Sequence, residues 1–236
     1  MQQYDVEKIN WPTALTPTLK EKLLSIAYYS DNFSAQMTQN VKPQHPGVYY
    51  FIKGLATFSY TTPNMKNIRG CVFGTGDWIG ANSLFRTNSL FLLPETLVPL
   101  EFLYFPRDKI EQLSLSSTEI YKWLFYCINN SQPKIMQSQL TALHDKTCRI
   151  VYTLLELARY TPFVLGSFPS IRISQQQLST VTGLSRPRIN EVLKILEKKC
   201  EISLERGCIH ILNQPALNKY LHELNVMFHD PRNTIA

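Results

Sequence analysis

Between Ser174 and Glu197 the chain reads SQQQLSTVTGLSRPRINEVLKILE, two short helical patterns joined at Gly183. Ser174 stands at an N-cap position with Gln177 three residues on, the reciprocal arrangement that satisfies backbone groups left orphaned at a helix start. Leu178 and Val181 mark the apolar side of this first helix. Gly183 supplies the left-handed conformation that ends a helix sharply, Leu184 plugs the corner, and Ser185 caps the next helix. There Ile189, Val192, Leu193 and Leu196 fall on one stripe, opposite Arg186, Pro187, Asn190, Glu191 and Lys194. Pro187 is tolerated because first-turn amides have no helical partner. From Ser185 to Lys199 the second helix would be about 22 Å long, enough to lay polar side chains along a DNA major groove. A plain helical hairpin with a solvated face would show the same periodicity.

The next segment separates the two. Residues Glu201 to Leu212, EISLERGCIHIL, alternate apolar and polar positions around Arg206-Gly207, the pattern of a short β-hairpin. A hairpin directly after a groove-reading helix is a wing.

These residues resemble the Crp-Fnr superfamily of bacterial transcription factors, named for the cyclic-AMP receptor protein and the fumarate-nitrate regulator. The match runs through Ile173-Ser174, Leu178, Thr182 to Arg186, Val192 to Glu197, Ile202-Ser203 and Ile209. Charge agrees with it. Residues 146–236 hold 12 Lys and Arg against 7 Asp and Glu, whereas residues 1–145 hold 12 against 11, so the positive excess lies where phosphates would be met.

The amino-terminal part carries Val, Tyr, Phe and Ile segments, VYYFIKGLATFSYTT, IRGCVFGTGDWIGANSLF and LVPLEFLYFP, which read as short strands separated by turns in a small β-barrel or sandwich. Pro46-Gly47, Tyr49 to Ile52, Gly54 and Gly76-Asp77-Trp78-Ile79-Gly80 resemble the family's cyclic-nucleotide-binding β-roll. Residues Ile110 to Asp145 are Gly-free and helical in pattern, broken only by NNSQP ending at Pro133. In the family this is the dimerisation helix, with Trp123, Leu124, Ile128, Ile135, Met136, Leu140 and Leu143 offering apolar surface to a partner; packing between domains would use the same residues. After it, Asp145 or Thr147 could cap a helix whose Ile150, Val151, Leu154, Leu155 and Leu157 pack under the helix pair. Residues Thr161 to Pro169 read as a loop, Ile171 to Ile173 as a strand, and PALNKYLHELNVMF as one extra helix. The expected class is α+β: a β-roll over 1–109, a dimerisation helix and hinge over 110–145, and a winged helix-turn-helix over 146–236.

Departures from the family narrow the ligand. Members that bind cyclic nucleotide place a glutamate for the ribose after the turn, then an arginine and a serine for the phosphate; here Ala81 falls at the glutamate position, and Arg86 directly follows Phe85, ahead of Thr87-Asn88-Ser89. No cyclic-AMP binding is expected. An amino-terminal cysteine cluster for iron and sulfur is missing, since the first cysteine is Cys71. Cys71, Cys127, Cys148, Cys200 and Cys208 show no paired spacing and read as reduced core thiols, and Cys208 with His210 is too few for a metal site. Haem needs only one axial ligand and stays open, with His45, His144, His210, His222 and His229 present.

The resemblance implies a homodimer on double-stranded DNA. Carried over by position, Ser174, Gln175, Gln176 and Ser185 approach phosphates, with Arg206 at the wing tip; Arg186, Pro187, Arg188, Asn190 and Glu191 face bases, beside Lys194 on the same stripe. Arg186 matches the family's guanine-reading arginine. Pro187 and Glu191 replace a glutamate and an arginine of the best-studied members, so the operator should differ. RNA polymerase would be a further partner of an activator. A different reading is a haem or small-molecule sensor signalling through protein contacts. No phosphate-cradling glycine loop, nucleophile elbow or HExxH suggests an enzyme. No apolar run approaches the roughly 18 residues of a membrane span, and MQQYDVEKIN lacks the order of a signal peptide, which points to the cytoplasm.

Overall fold

The computed structural model describes residues 8–32, 46–61, 67–68, 71–85, 92–161 and 168–234. In chain order the first elements are α1 (Pro17–Ile26), β1 (Tyr28–Ser30), β2 (Gly47–Thr61), β3 (Asn67–Ile68), β4 (Val72–Gly74), β5 (Trp78–Ile79), a 3-10 turn at Ala81–Ser83 and β6 (Leu92–Pro106). They make one sheet in the order β1-β6-β2-β3, with β4 and β5 also paired to β2. The sequence suggested short strands separated by turns, but β2 and β6 each run for 15 residues and pair antiparallel along most of that length. Gly54 bends β2: the register shifts between Phe51 and Ala56, and at Gly54, φ +91°, a Cβ would stand 2.1 Å from the Pro99 carbonyl oxygen. Glycine is the residue that combines that φ with that approach.

The first of two compact units comprises residues 1–68 and 73–132. Its core gathers aromatic rings from distant segments. Trp78 and Trp123 are both fully buried and meet edge to face at 5.6 Å, Phe105 lies 5.6 and 5.4 Å from them, and Trp11 covers Trp78 at 5.3 Å. The Trp78 indole N–H donates to the Asn10 carbonyl at 2.8 Å, and its backbone N–H to Asn130 Oδ1 at 2.8 Å. Two helices follow the sheet, α2 (Arg107–Ser114) and α3 (Glu119–Thr141). Trp123 and Leu124, expected on a partner-facing surface, are core residues of this unit, whereas Tyr121 and Phe125 on the same helix are exposed.

The helical stretch breaks at 115–118 and not at NNSQP, because α3 continues through Pro133. Proline there removes one amide and frees the carbonyl four residues back. That residue is Asn129, which is exposed, so water can take the place of the lost donor.

The second unit, residues 69–72 and 133–236, is organised around α4 (Lys146–Ala158). Asp145 caps it, its Oδ1 accepting from the Thr147 and Cys148 amides at 2.7 and 3.2 Å. From Ile150 to Ala158 every residue is buried. Around α4 lie β7 (Ser170–Arg172), α5 (Gln175–Thr182), α6 (Arg186–Lys198), β8 (Ile202–Glu205) and β9 (Cys208–Ile211), the strands ordered β7-β9-β8, and then α7 (Gln214–Lys219) and a 3-10 turn at Pro231–Thr234. Most of the loop expected over Thr161 to Pro169 lies outside the described residues.

The extra carboxy-terminal helix is much shorter than its sequence suggested. It ends at Lys219, where the Tyr220 hydroxyl donates to Glu201 at 3.0 Å and receives Lys199 Nζ at 2.9 Å. Beyond it the chain extends to reach buried polar groups. Gln137 Nε2 donates to the Asn225 carbonyl at 2.9 Å, its Oε1 accepts from the Phe228 amide at 3.3 Å, and His229 Nε2 lies 2.8 Å from Glu156 Oε2. Burial would push the Glu156 carboxyl up, but the His229 hydrogen bond and the charges of His229, Arg159 and Lys134 hold it below the usual glutamate range.

Cys71, Cys127 and Cys148 are buried, with burial raising the Cys127 thiol and, aided by the Asp145 and Glu223 charges, pushing Cys148 up to about 11. Cys200 departs from the expected core thiol: it is exposed, at φ +55° just past α6. Among the described residues no group of three or more His, Cys, Asp or Glu could hold a metal ion, and no helix is long and apolar enough to cross a membrane.

Gly54→Ala should destabilise the amino-terminal unit by about 2–4 kcal/mol, from left-handed strain plus overpacking. Gly76→Ala, at φ +88° with nothing within 4 Å, meets the strain alone and should cost about 1–2 kcal/mol. Urea denaturation of both variants checks this, and equal losses would show that the Pro99 approach does not fix the bulge. His229→Ala should cost about 2–4 kcal/mol by leaving Glu156 under-compensated. Because the Glu156 carboxyl is lowered in the folded chain, its contribution is complete above the free-glutamate range and is lost as pH falls through the folded value. Melting curves should therefore show a large variant deficit near neutral pH that shrinks in acid; a deficit constant with pH would contradict the assignment.

Candidate nucleic-acid interface

The helix pair is fixed by short polar locks at both ends. Ser174 and Gln177 form the complete capping box: Ser174 Oγ accepts from the Gln177 amide at 3.1 Å, and Gln177 Oε1 accepts from the Ser174 amide at 2.9 Å. At the other end Gly183 takes the left-handed conformation, φ 57° and ψ 29°. Thr182 Oγ1 donates to the Leu178 carbonyl at 2.7 Å and accepts from the Leu184 amide at 3.3 Å, Ser179 Oγ donates to the Leu184 carbonyl at 2.6 Å, and Arg149 of α4 donates to the Thr182 carbonyl. Ser185 holds the N-cap position of α6 but makes no side-chain cap bond, so its expected capping role is not realised. Its exposed hydroxyl is available to an outside partner.

On α6 the stripe of Ile189, Val192, Leu193 and Leu196 is buried, while Arg186, Pro187, Arg188, Glu191 and Lys194 are exposed and Asn190 is half-buried. At about 100° per residue, Pro187, Glu191, Lys194 and Lys198 run along the centre of the outward face, with Arg186 and Arg188 on opposite flanks. Lys198 was not singled out from the sequence. The four-residue step from Lys194 is the signal that would have found it.

Two of the expected base-facing residues are held from other helices. Gln175 Nε2 donates to Asn190 Oδ1 at 2.6 Å, and Lys146 Nζ pairs with Glu191 Oε1 at 2.6 Å. With both partners of the ion pair more than a third exposed, it adds at most about 1 kcal/mol of stability; its main effect is to orient Glu191 and offset its charge.

Ser174, Gln175, Arg186 and Arg206 line a cleft of about 460 Å³ between the helix pair and the turn of the hairpin, floored by Leu178 and Leu193. Gln176, Arg188 and Lys194 are exposed outside it. The hairpin turns at Arg206-Gly207, where Gly207 has φ +75°, and Glu197 Oε1 of α6 accepts from the Leu204 amide at 3.2 Å. His210 is committed within the small sheet, 2.8 Å from Ser170 Oγ and 3.3 Å from Glu205.

In the amino-terminal unit Ala81 is buried and opens the 3-10 turn after Gly80, φ +94°, while Ser83 Oγ donates to the Gly80 carbonyl at 2.7 Å. Arg86 to Ser89, and His45, lie outside the described residues.

Residues 148–220 match the family model of the Crp-like helix-turn-helix domain. No curated protein matches the sequence. Among solved structures the chain is similar to the global regulator CLP of Xanthomonas campestris, described as c-di-GMP responsive, at 20% identity over 83% of this chain and 99% of that one, with TM-score 0.63. It is similar to FixK2 of Bradyrhizobium japonicum at 14% identity, 82% and 96% coverage and TM-score 0.63. A CRP-family regulator of Thermus thermophilus aligns at 15% identity, 75% and 88% coverage and TM-score 0.61. Residues 148–220 therefore belong to the Crp-like helix-turn-helix domains, and the chain has the fold of the Crp-Fnr transcriptional regulators.

Proposed function

We propose that this chain is a sequence-specific DNA-binding regulator that acts as a homodimer on a palindromic operator and does not depend on cyclic AMP. The observation that carries the reading is the cleft bringing Ser174, Gln175, Arg186 and Arg206 together beside the outward face of α6. Its two arginines, against the one carboxylate of Glu205 in the same lining, would neutralise phosphates, and the helix beside it would present Arg186, Pro187, Arg188, Asn190, Glu191 and Lys194 to base edges. Ser174, Gln176 and Ser185 are exposed where phosphates would pass.

A two-fold dimer needs a partner surface. Tyr121 and Phe125, one turn apart on α3, are 51% and 65% exposed, and Phe85 lies 6.1 Å from Tyr121. Ile128 continues that spacing and is half-buried. Half-site centres would then lie about 34 Å apart, one turn of the groove. Independence of cyclic AMP is supported by Ala81, a buried methyl side chain that offers no carboxylate to a ribose. On this reading the chain works as a β-roll over 1–109, a dimerisation helix and hinge over 110–145 and a DNA-binding domain over 146–236, in the cytoplasm, with no enzymatic role and with RNA polymerase as partner where it activates.

Arg186→Ala should weaken operator binding by about 1–3 kcal/mol and relax one base position, as expected for loss of a bidentate guanine contact. Gel-shift titrations on selected fragments measure this, and log Kd of the parent should rise steeply with log salt. Unchanged binding by the variant, or no salt dependence in the parent, would refute the contact and the DNA reading respectively. Phe125→Glu should shift the protein toward monomer in sedimentation equilibrium; a dimer of undiminished strength would place the partner surface elsewhere.

A further inference from the structure

We propose that Gln175 sets the base preference of α6 by fixing the Asn190 amide, so that Asn190 offers a hydrogen-bond donor to the groove and does not clamp adenine. This rests on the reading of α6 as the groove-facing helix. An asparagine that reads adenine uses both ends of its amide, accepting from N6 and donating to N7. Here one of the two lone pairs of the accepting end is engaged, since Asn190 Oδ1 receives Gln175 Nε2 at 2.6 Å, and that bond ties Oδ1 toward α5. The amide is a rigid plane, so anchoring Oδ1 also sets the direction of Nδ2.

The anchor is itself well held. Gln175 is the first residue of α5, directly after the capping-box serine, and both Gln175 and Asn190 are half-buried at the junction of the two helices. The donor end left to Asn190 suits guanine, with two acceptors in O6 and N7, better than thymine O4 or adenine N7, with one each, and finds no acceptor on cytosine. Gln175, placed by sequence among the phosphate contacts, thus acts through Asn190 as a positioning residue.

Full-length protein is used to select bound fragments from a randomised operator library, and the position read by Asn190 is the one whose preference disappears in Asn190→Ala. The parent should prefer guanine there and disfavour cytosine by about tenfold. Gln175→Ala should lose that preference while keeping the one lost in Arg186→Ala, which shows that the helix pair is intact. Gln175→Glu accepts from Nδ2 and turns the amide over, so it should favour adenine or cytosine. Adenine or cytosine preferred by the parent, an unchanged profile in either Gln175 variant, or no position lost in Asn190→Ala would overturn the proposal. A uniform loss of affinity across sequences with the base preference kept in Gln175→Ala would overturn it in favour of a phosphate contact. If the parent selects no sequence at all, the DNA reading falls and the proposal falls with it.

Discussion

A helix with no exposed side must satisfy every polar group it buries, and α4 is such a helix from Ile150 to Ala158. Thr153 solves this locally, its hydroxyl donating to the Arg149 carbonyl at 2.8 Å. Glu156 cannot: at 4% exposure its carboxylate needs donors from outside the helix. His229 supplies one to Oε2 at 2.8 Å, and Arg159, the C-cap of α4 itself, reaches the same oxygen at 3.3 Å. The carboxy-terminal segment is therefore recruited by this buried charge together with the buried Gln137 amide. At the other end of the same helix Arg149 reaches the Thr182 carbonyl and closes α5 just before the turn. One buried helix thus fixes both the helix-turn-helix and the segment that returns along α4.

This arrangement explains which parts of the structure were legible in the sequence. The helix pair was, because Ser174, Gln177, Gly183 and the Ile189 to Leu196 stripe are local signals whose geometry lies within a few residues. The wing was for the same reason. The path after Lys219 was not: PALNKYLHELNVMF has helical periodicity, yet Gln137 and Glu156 lie 88 and 73 residues from their partners Asn225 and His229 and pull the chain out of helix. Helix propensity is a weak prior against a buried charge.

The amino-terminal half shows the same division. From the sequence Gly54 reads only as part of one strand segment, because the Pro99 carbonyl that makes it a bulge is 45 residues away and on another strand. Trp123 looked available to a partner because periodicity gives the apolar face of a helix and not its occupant; Trp78 and Phe105 already fill that space. Phe125, two residues on, was passed over, since apolar residues on the minor face of a helix give no periodic signal. In the candidate interface the residue types were read from the sequence, but the pairs Gln175 with Asn190 and Lys146 with Glu191 join separate helices and left no mark in local spacing.

Those two pairs bear on how such a surface could be specific. Pro187 occupies the outward face of the first turn of α6 and offers a base neither donor nor acceptor. Glu191, one turn on, would repel nearby phosphates if its charge stood alone, and Lys146 at 2.6 Å offsets it while leaving its second oxygen able to accept from a cytosine amino group. Asn190 is anchored from α5 in the same way. If α6 reads bases as proposed, discrimination beyond the Arg186 contact would come from these two residues, and each is oriented by a side chain from a different helix. On that reading, base preference would depend on the packing among α4, α5 and α6, and substitutions at Lys146 or Gln175 would change what α6 presents without altering α6 itself.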